Sequence, residues 1–227
     1  SVFIRFGKCN FKCEGFAVEY ETPSGVKKCA CDTYYAVDTE FKDTWTKYKS
    51  YEEIVNEVDK LISIYPYNYK IDIVITGGEP LLYWNKEEFQ KLLEHYINAG
   101  HKVTIETNAS LNLNIDKEYQ KELLFSMSVK LSNSLEPIKK RININTLNTI
   151  LNNTKESYLK FVIGKDFLND AKKEINEILS LIPKCDVYLM PLGDTAEQIN
   201  KNCEDVINMS IENGFKYCDR LHIRVWD

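Results

Sequence analysis

The sequence predicts an α/β domain built on a mostly parallel sheet. Three observations predict it. Seven short apolar stretches alternate with about five segments of helical periodicity. Polar or glycine-rich residues follow most of the apolar stretches directly. The length of 227 residues suits one domain, and with 44% hydrophobic and 12% aromatic residues it can bury a sizeable core.

The elements are read in chain order. Val2-Phe3-Ile4-Arg5-Phe6 is β-branched and aromatic, a strand in which Arg5 shares a face with Phe3. Residues 14–28 contain Gly15, Pro23, Gly25, Lys27 and Lys28, and read as a loop insertion with a hairpin turning at Thr22-Pro23-Ser24-Gly25. Tyr34, Tyr35, Phe41, Trp45 and Tyr48 follow without clean period and read as packing residues. Ser50-Tyr51-Glu52-Glu53 forms a capping box. It opens a helix carrying Ile54, Val55, Val58, Leu61 and Ile62, with its end placed near Tyr65-Pro66. Residues 71–75 are continuously apolar, as in a strand buried on both faces.

Asn85-Lys86-Glu87-Glu88 caps the next helix, whose buried face is Phe89, Leu92, Leu93, Tyr96 and Ile97, and Gly100 ends it. Further strands are read at 102–105, 124–129, 158–163, 187–190 and 221–226. Further helices fall at about 143–152, 170–182 and 195–213, the last stopped by Gly214. No repeat or interdomain linker interrupts residues 1–227, so a single domain is expected. The net charge of −5 and a pI near 5.4 argue against direct nucleic-acid binding. No apolar run of about 18 residues exists, so no membrane span is expected. The absence of a secretory signal favours a cytoplasmic chain with reduced thiols. Both ends read as cut: the first strand begins at residue 2, and the chain stops just after Trp226.

Residues 9–33 hold four of the seven cysteines: Cys9, Cys13, Cys29 and Cys31. They follow the first strand, where α/β folds build their sites. Thiolates crowded into a loop suit a soft metal. Spacing leaves two readings: a zinc site on all four, or an iron–sulfur cluster held by three. Cys185, Cys203 and Cys218 are scattered and read as core or surface thiols. His95 and His101 read as packing residues. In Thr76-Gly77-Gly78-Glu79-Pro80, the glycines permit close approach of backbone to a ligand, and Glu79 adds charge suited to an ammonium group. Glu106-Thr107-Asn108 is placed just past a strand, where it can bind a ribose or substrate edge, and Lys130 can pair with a carboxylate.

A strand with Arg5, then Cys9-Asn10-Phe11-Lys12-Cys13 and Cys31-Asp32-Thr33, resembles the radical S-adenosylmethionine (SAM) enzymes. More closely it resembles the 7-carboxy-7-deazaguanine synthase family, with Thr76-Gly77-Gly78-Glu79-Pro80, Ser128-Val129-Lys130, Met190-Pro191-Leu192-Gly193 and Arg220-Leu221-His222 in the shared order. One departure is plain. Seventeen residues separate Cys13 from Cys31 where the superfamily pattern has two, although some synthases carry an enlarged loop here.

The resemblance implies a partial (β/α) TIM-like barrel and a [4Fe–4S] cluster on Cys9, Cys13 and Cys31, with Cys29 the substitute for Cys13. It implies SAM bound by Ala30, Asp32, Gly78, Glu79, Ser128, Val129, Lys130, Met190, Pro191, Leu192 and Gly193. It places a magnesium ion on Thr33 and the substrate on Arg5, Thr76 and His222. It assigns no acid or base. The implied reaction converts 6-carboxy-5,6,7,8-tetrahydropterin to 7-carboxy-7-deazaguanine with loss of ammonia, in queuosine biosynthesis. A 5′-deoxyadenosyl radical starts it, and a flavodoxin- or ferredoxin-type protein supplies the electron. Synthases of this family are expected to be homodimers. Their substrate contacts from a Gln-Gly-Glu stretch ahead of the first strand, and from a terminal carboxylate, have no counterpart in these residues. The alternatives are an enzyme that activates a glycyl-radical partner, and a non-catalytic binding domain stapled by zinc on Cys9, Cys13, Cys29 and Cys31.

Overall fold

The computed structural model describes residues 1–65 and 69–226. Seven strands form one sheet: β1 (Val2–Phe6), β4 (Ile73–Gly77), β5 (Val103–Thr107), β6 (Leu124–Met127), β7 (Tyr158–Ile163), β8 (Val187–Pro191) and β9 (Lys216–Tyr217), in that order across it. Every adjacent pair is parallel. Strand order follows chain order without reversal. Right-handed crossovers then put all the connecting helices on one face, the winding of a (β/α) barrel rather than of a doubly wound sheet. The sheet is open, with β1 and β9 at its edges.

Strand alternation sorts the two faces. Ile73, Ile75, Val103, Ile105, Phe125, Leu159, Phe161, Ile163 and Leu189 are each fully buried. They pack with Val55 and Val58 of α2 (Tyr51–Ser63), Leu92 and Leu93 of α3 (Glu87–Asn98), Leu147 and Ile150 of α6 (Ile144–Asn153), Ile175 of α7 (Leu168–Leu179) and Val206 of α8 (Ala196–Asn213). The opposite face carries Phe3, Arg5, Thr76, Glu106, Ser126, Lys160 and Met190, several of them partly exposed. A polar face in the middle of an α/β sheet is where a ligand belongs.

Between β1 and α2 the chain forms the hairpin β2 (Val18–Glu21) and β3 (Lys27–Ala30), paired antiparallel around residues 22–26. Its turn is where the Thr22-Pro23-Ser24-Gly25 signal placed it, with Gly25 at φ 82°. The one-turn helix α1 (Tyr34–Val37) follows, and Tyr34 stacks on Tyr20 at 4.2 Å. Tyr34 and Phe41 thus pack against Tyr20 of the hairpin and Trp45 packs at Gly7, whereas Tyr35 and Tyr48 stay exposed.

Four expectations are corrected. The last strand is β9, and residues 221–226 form the helix α9 (Leu221–Trp226). Asp219 makes the difference: its carboxylate accepts the Arg220 N–H at 2.7 Å and pairs with Arg224 at 2.7 Å, which stabilises a helical turn despite the alternating apolar pattern. Ser50 begins α2, but its hydroxyl makes no cap bond; Glu53 accepts from Lys49 instead, and Glu88 of α3 accepts the Tyr51 N–H at 2.9 Å. Glu106 and Thr107 lie inside β5 rather than beyond it. The strand read at 124–129 ends at Met127. Of the predicted helix end near Tyr65-Pro66, Pro66 lies outside the described residues, and α2 itself closes at Ser63. Three short helices escaped the periodicity because a single turn has none to show: α1, α4 (Glu118–Lys121) and α5 (Ile138–Arg141). Among the described residues no helix is long and apolar enough to cross a membrane.

Candidate active site

The cysteine loop leaves β1 through Gly7 and Lys8, and β4 grips it. Gly78 donates its N–H to the Phe6 carbonyl and Glu79 to the Lys8 carbonyl, both at 2.9 Å. The approach is so close that a Cβ on Gly77 would stand 2.1 Å from the Phe6 oxygen, and one on Gly78 would stand 2.0 Å from the Lys8 oxygen. The glycine pair therefore serves the chain's own backbone first. It sets where Cys9 begins.

Glu79 is a brace. It is fully buried, and its carboxylate accepts the Thr107 hydroxyl at 2.6 Å, the Asn108 N–H at 2.7 Å and the Leu81 N–H at 2.9 Å. Burial pushes its pKa up while those donors pull it down. From there Asn108 reaches Asn10 at 2.9 Å, and Asn10 reaches Ser110 at 2.8 Å, tying the cysteine loop to the end of β5. On the far side Glu136 accepts the N–H groups of Lys12 at 2.6 Å and Cys13 at 3.1 Å. Lys140 pairs with Glu136 at 2.9 Å. A cavity of about 320 Å³ opens beside Cys9 between these segments.

Cys31 comes close enough to Cys9 and Cys13 to raise the pKa of each, and Cys9 raises that of Cys13. Burial pushes the Cys9 and Cys13 thiols up to about 12, with the Lys130 ammonium opposing it in both. Cys29 is on the exposed side of β3, paired in register with Glu19. Among the described residues no three His, Cys, Asp or Glu side chains are arranged to hold a single metal ion.

Lys130 donates to the Ser128 carbonyl and hydroxyl, each at 2.8 Å, and Val129 is buried beside it. Arg220 joins two more of the expected SAM segments: it donates to the Gly193 carbonyl at 2.6 Å and pairs with Asp32, the neighbour of Cys31. Gly193, at φ 155°, packs where a Cβ would meet Ile199 N at 2.7 Å. Thr33 donates its hydroxyl to Asp32 at 3.0 Å. Ala30 is buried at the end of β3, and Met190, Pro191 and Leu192 form the end of β8 and the turn after it.

On the polar face of the sheet, Thr76 donates to Glu106 at 2.9 Å, and Lys160 pairs with Glu106 at 3.1 Å. Arg5 lies in register with Thr76, and no carboxylate among the described residues is within ion-pair distance of it. His222 is near enough to feel Arg220, Arg5 and Glu106. Burial, then the two arginines, holds its pKa below the ordinary value, so its imidazole is neutral at neutral pH. His101 bonds the Ile71 carbonyl at 2.7 Å and His95 packs on Tyr51, both away from this face.

The profile of the radical SAM superfamily matches residues 4–206. The chain is 30% identical to the 7-carboxy-7-deazaguanine synthase of Clostridium acetobutylicum, over 85% of this chain and 72% of that one. It belongs to the 7-carboxy-7-deazaguanine synthase family of radical SAM proteins. The synthase of Rhodopirellula baltica is 28% identical across 99% of this chain and 78% of its own length. The fold is likewise that of QueE from Escherichia coli, at TM-score 0.58 and 16% identity over 96% of this chain and 84% of that one. SuiB of Streptococcus suis bound to S-adenosylmethionine also shares it, at TM-score 0.58 and 14% identity over 96% of this chain and 49% of that one.

A radical SAM family implies a [4Fe–4S] cluster and SAM. The donor set fits. Cys31 is near enough to Cys9 and Cys13 to raise the pKa of both, and three thiols at one loop are the soft donors such a cluster takes. Cys9 also accepts the Phe11 N–H at 3.4 Å, and N–H···S bonds of that kind tune iron–sulfur sites.

Sequence reasoning missed Lys160, Asn10, Glu136 and the reach of Arg220. Each is a single polar residue in a strand or loop, and its partner is far along the chain. Only Glu106 carried a signal, as a carboxylate beside a predicted strand end.

Proposed function

We propose that this enzyme converts 6-carboxy-5,6,7,8-tetrahydropterin to 7-carboxy-7-deazaguanine and ammonia, as the names of its relatives suggest for them. The balance is redox-neutral: the product is the substrate less ammonia, so SAM is reformed. The observation that carries the reading is the pairing of a three-cysteine loop with a polar sheet face on which Arg5, near Glu106, has no carboxylate among the described residues within ion-pair distance.

Cys9, Cys13 and Cys31 hold the cluster. Asp32, Ala30, Gly78, Ser128, Val129, Lys130 and the 190–193 turn line the SAM site, and Glu79 acts there through the turn it braces. Bound together, cluster and SAM supply a carbon-centred oxidant that removes one hydrogen atom from the substrate. The chain's own residues do the rest. Arg5 takes the substrate carboxylate, a task suited to a guanidinium. Thr76 and Glu106 face the heterocycle, and neutral His222 offers either a donor or an acceptor to it. The hydrophobic side of the sheet keeps these groups on a rigid base and limits water.

Thr33 would hold a magnesium ion through its hydroxyl, a hard donor for a hard cation, and the ion would supply positive charge for the substrate carboxylate. Thr33→Ala is expected to lower activity about ten-fold or more and to blunt its response to added magnesium. An unaltered magnesium response would remove the ion from Thr33. A flavodoxin- or ferredoxin-type reductant, a cytoplasmic setting and a homodimer complete the reading, and residues 1–227 act as one domain with the hairpin as its insertion.

The test is direct. Anaerobically reconstituted protein, reductant, SAM, magnesium and the carboxylated tetrahydropterin should release ammonia and a deazapurine carboxylate in equal amounts. A cluster-loaded protein that cleaves SAM yet leaves this pterin untouched would refute the assignment.

A further inference from the structure

The contact between Lys160 and Glu106 is unusual for a sheet. Lys160 is on β7 and Glu106 on β5, so the pair spans the intervening β6. The residue in register with Glu106 on β6 is Ser126, fully buried and small enough to let the lysine pass. The side chains are only 13% and 33% exposed. An ion pair withdrawn from water in this way adds little stability over apolar residues, and the opposite face of the same strands is filled by Val103, Ile105, Phe125, Met127, Leu159, Phe161 and Ile163. Both carboxylate oxygens are oriented: Lys160 takes Oε1 at 3.1 Å, and the Thr76 hydroxyl takes Oε2 at 2.9 Å. Each oxygen keeps a free lone pair.

We propose that Lys160 is a positioning residue that keeps Glu106 an oriented carboxylate, ready to accept N–H groups from the aminopyrimidine edge of the substrate. The inference deepens the function proposed above and rests on it. The groups facing Glu106 are Arg5 from β1, Thr76 from β4, Lys160 from β7, Cys218 just after β9 and His222 from α9. Burial alone would raise the Glu106 pKa; Lys160 is the main counterweight, ahead of Thr76 and Arg5, and the balance lies below the ordinary value. Without the lysine the Glu106 pKa rises, and a proton held there removes one acceptor.

Cluster-loaded wild type, Lys160→Met and Lys160→Arg provide the test. Lys160→Met is expected to raise KM for the carboxylated tetrahydropterin about ten-fold at neutral pH. KM for SAM and the iron content should stay unchanged. Raising the pH should bring the pterin KM of Lys160→Met back towards wild type as Glu106 ionises, and Lys160→Arg should keep it low throughout. A Lys160→Met enzyme with a wild-type pterin KM at every pH overturns the inference. An infrared titration of the carboxylate band in the same proteins, with Glu106→Gln to assign it, separates the two proposals. An equal Glu106 pKa with and without the lysine also overturns the inference. Wild type inert towards the pterin, with the Glu106 pKa still raised in Lys160→Met, overturns the substrate reading and leaves Lys160 as the holder of the charge.

Discussion

Cys13→Ala and Cys31→Ala are each expected to abolish cluster assembly, leaving almost none of the roughly four irons and four sulfides per chain that a [4Fe–4S] centre carries. Cys29→Ala is expected to retain them all. The argument is geometric. Cys13 feels both Cys9 and Cys31, and the Glu136 carboxylate holds its N–H at 3.1 Å. Cys29, two residues before Cys31 on an extended strand, is on the exposed side of the hairpin. β3 ends at Ala30, so Cys31 lies past the strand and is free of its pleat, whereas Cys29 is held in the ladder opposite Glu19. Iron and sulfide analysis, with the absorption of the dithionite-reduced and oxidised protein, reads the result. One zinc per chain without sulfide, lost in Cys29→Ala, would replace the cluster with a zinc staple and remove the catalytic reading.

The second large effect is at the glycine pair. Gly77→Ala is expected to destabilise the protein by on the order of 4 kcal/mol, the sum of backbone strain and overpacking, and to lower cluster retention with it. Gly77 has φ 123°, and its added Cβ would stand 2.1 Å from the Phe6 oxygen and 2.4 Å from the Phe6 nitrogen. Neither neighbour is a side chain that can swing away. Gly100→Ala is the control: φ is 81°, but nothing lies within 4 Å of its Cβ. Its cost should stay near 1 kcal/mol, with cluster content unchanged. Urea unfolding of the apo and loaded proteins distinguishes the two. Similar losses for both would mean that positive φ alone matters, and that the grip of β4 on the cysteine loop contributes nothing.

The role of that grip explains a difference between motif and structure. Read along the chain, Thr76-Gly77-Gly78-Glu79 is a ligand-binding turn with a free carboxylate. In the fold, the glycines accommodate Phe6 and Lys8, and Glu79 is saturated by Leu81, Thr107 and Asn108. The motif acts on the site by holding the loop that carries the cysteines. The resemblance singled out this segment, and burial decides what its residues touch.

The elements themselves were legible because their signals are local. The alternation of residues 158–163 and the 3.6-residue period of Phe89, Leu92, Leu93 and Tyr96 each lie within a single element, and β7 and α3 form there. The final segment misled for the same reason: its alternation is real, but Asp219 outside it stabilises a helix.

By itself, the sequence determined the α/β class, the place of the cysteines after the first strand, and the family. Those rest on patterns a few residues long. Only the tertiary structure placed Cys13, rather than Cys29, beside Cys9 and Cys31, brought Lys160 to Glu106 from 54 residues away, and closed Arg220 on Asp32 across 188. Such contacts depend on strand order and on which face each side chain takes. Pairwise charges so far apart in a chain leave no periodic trace in it.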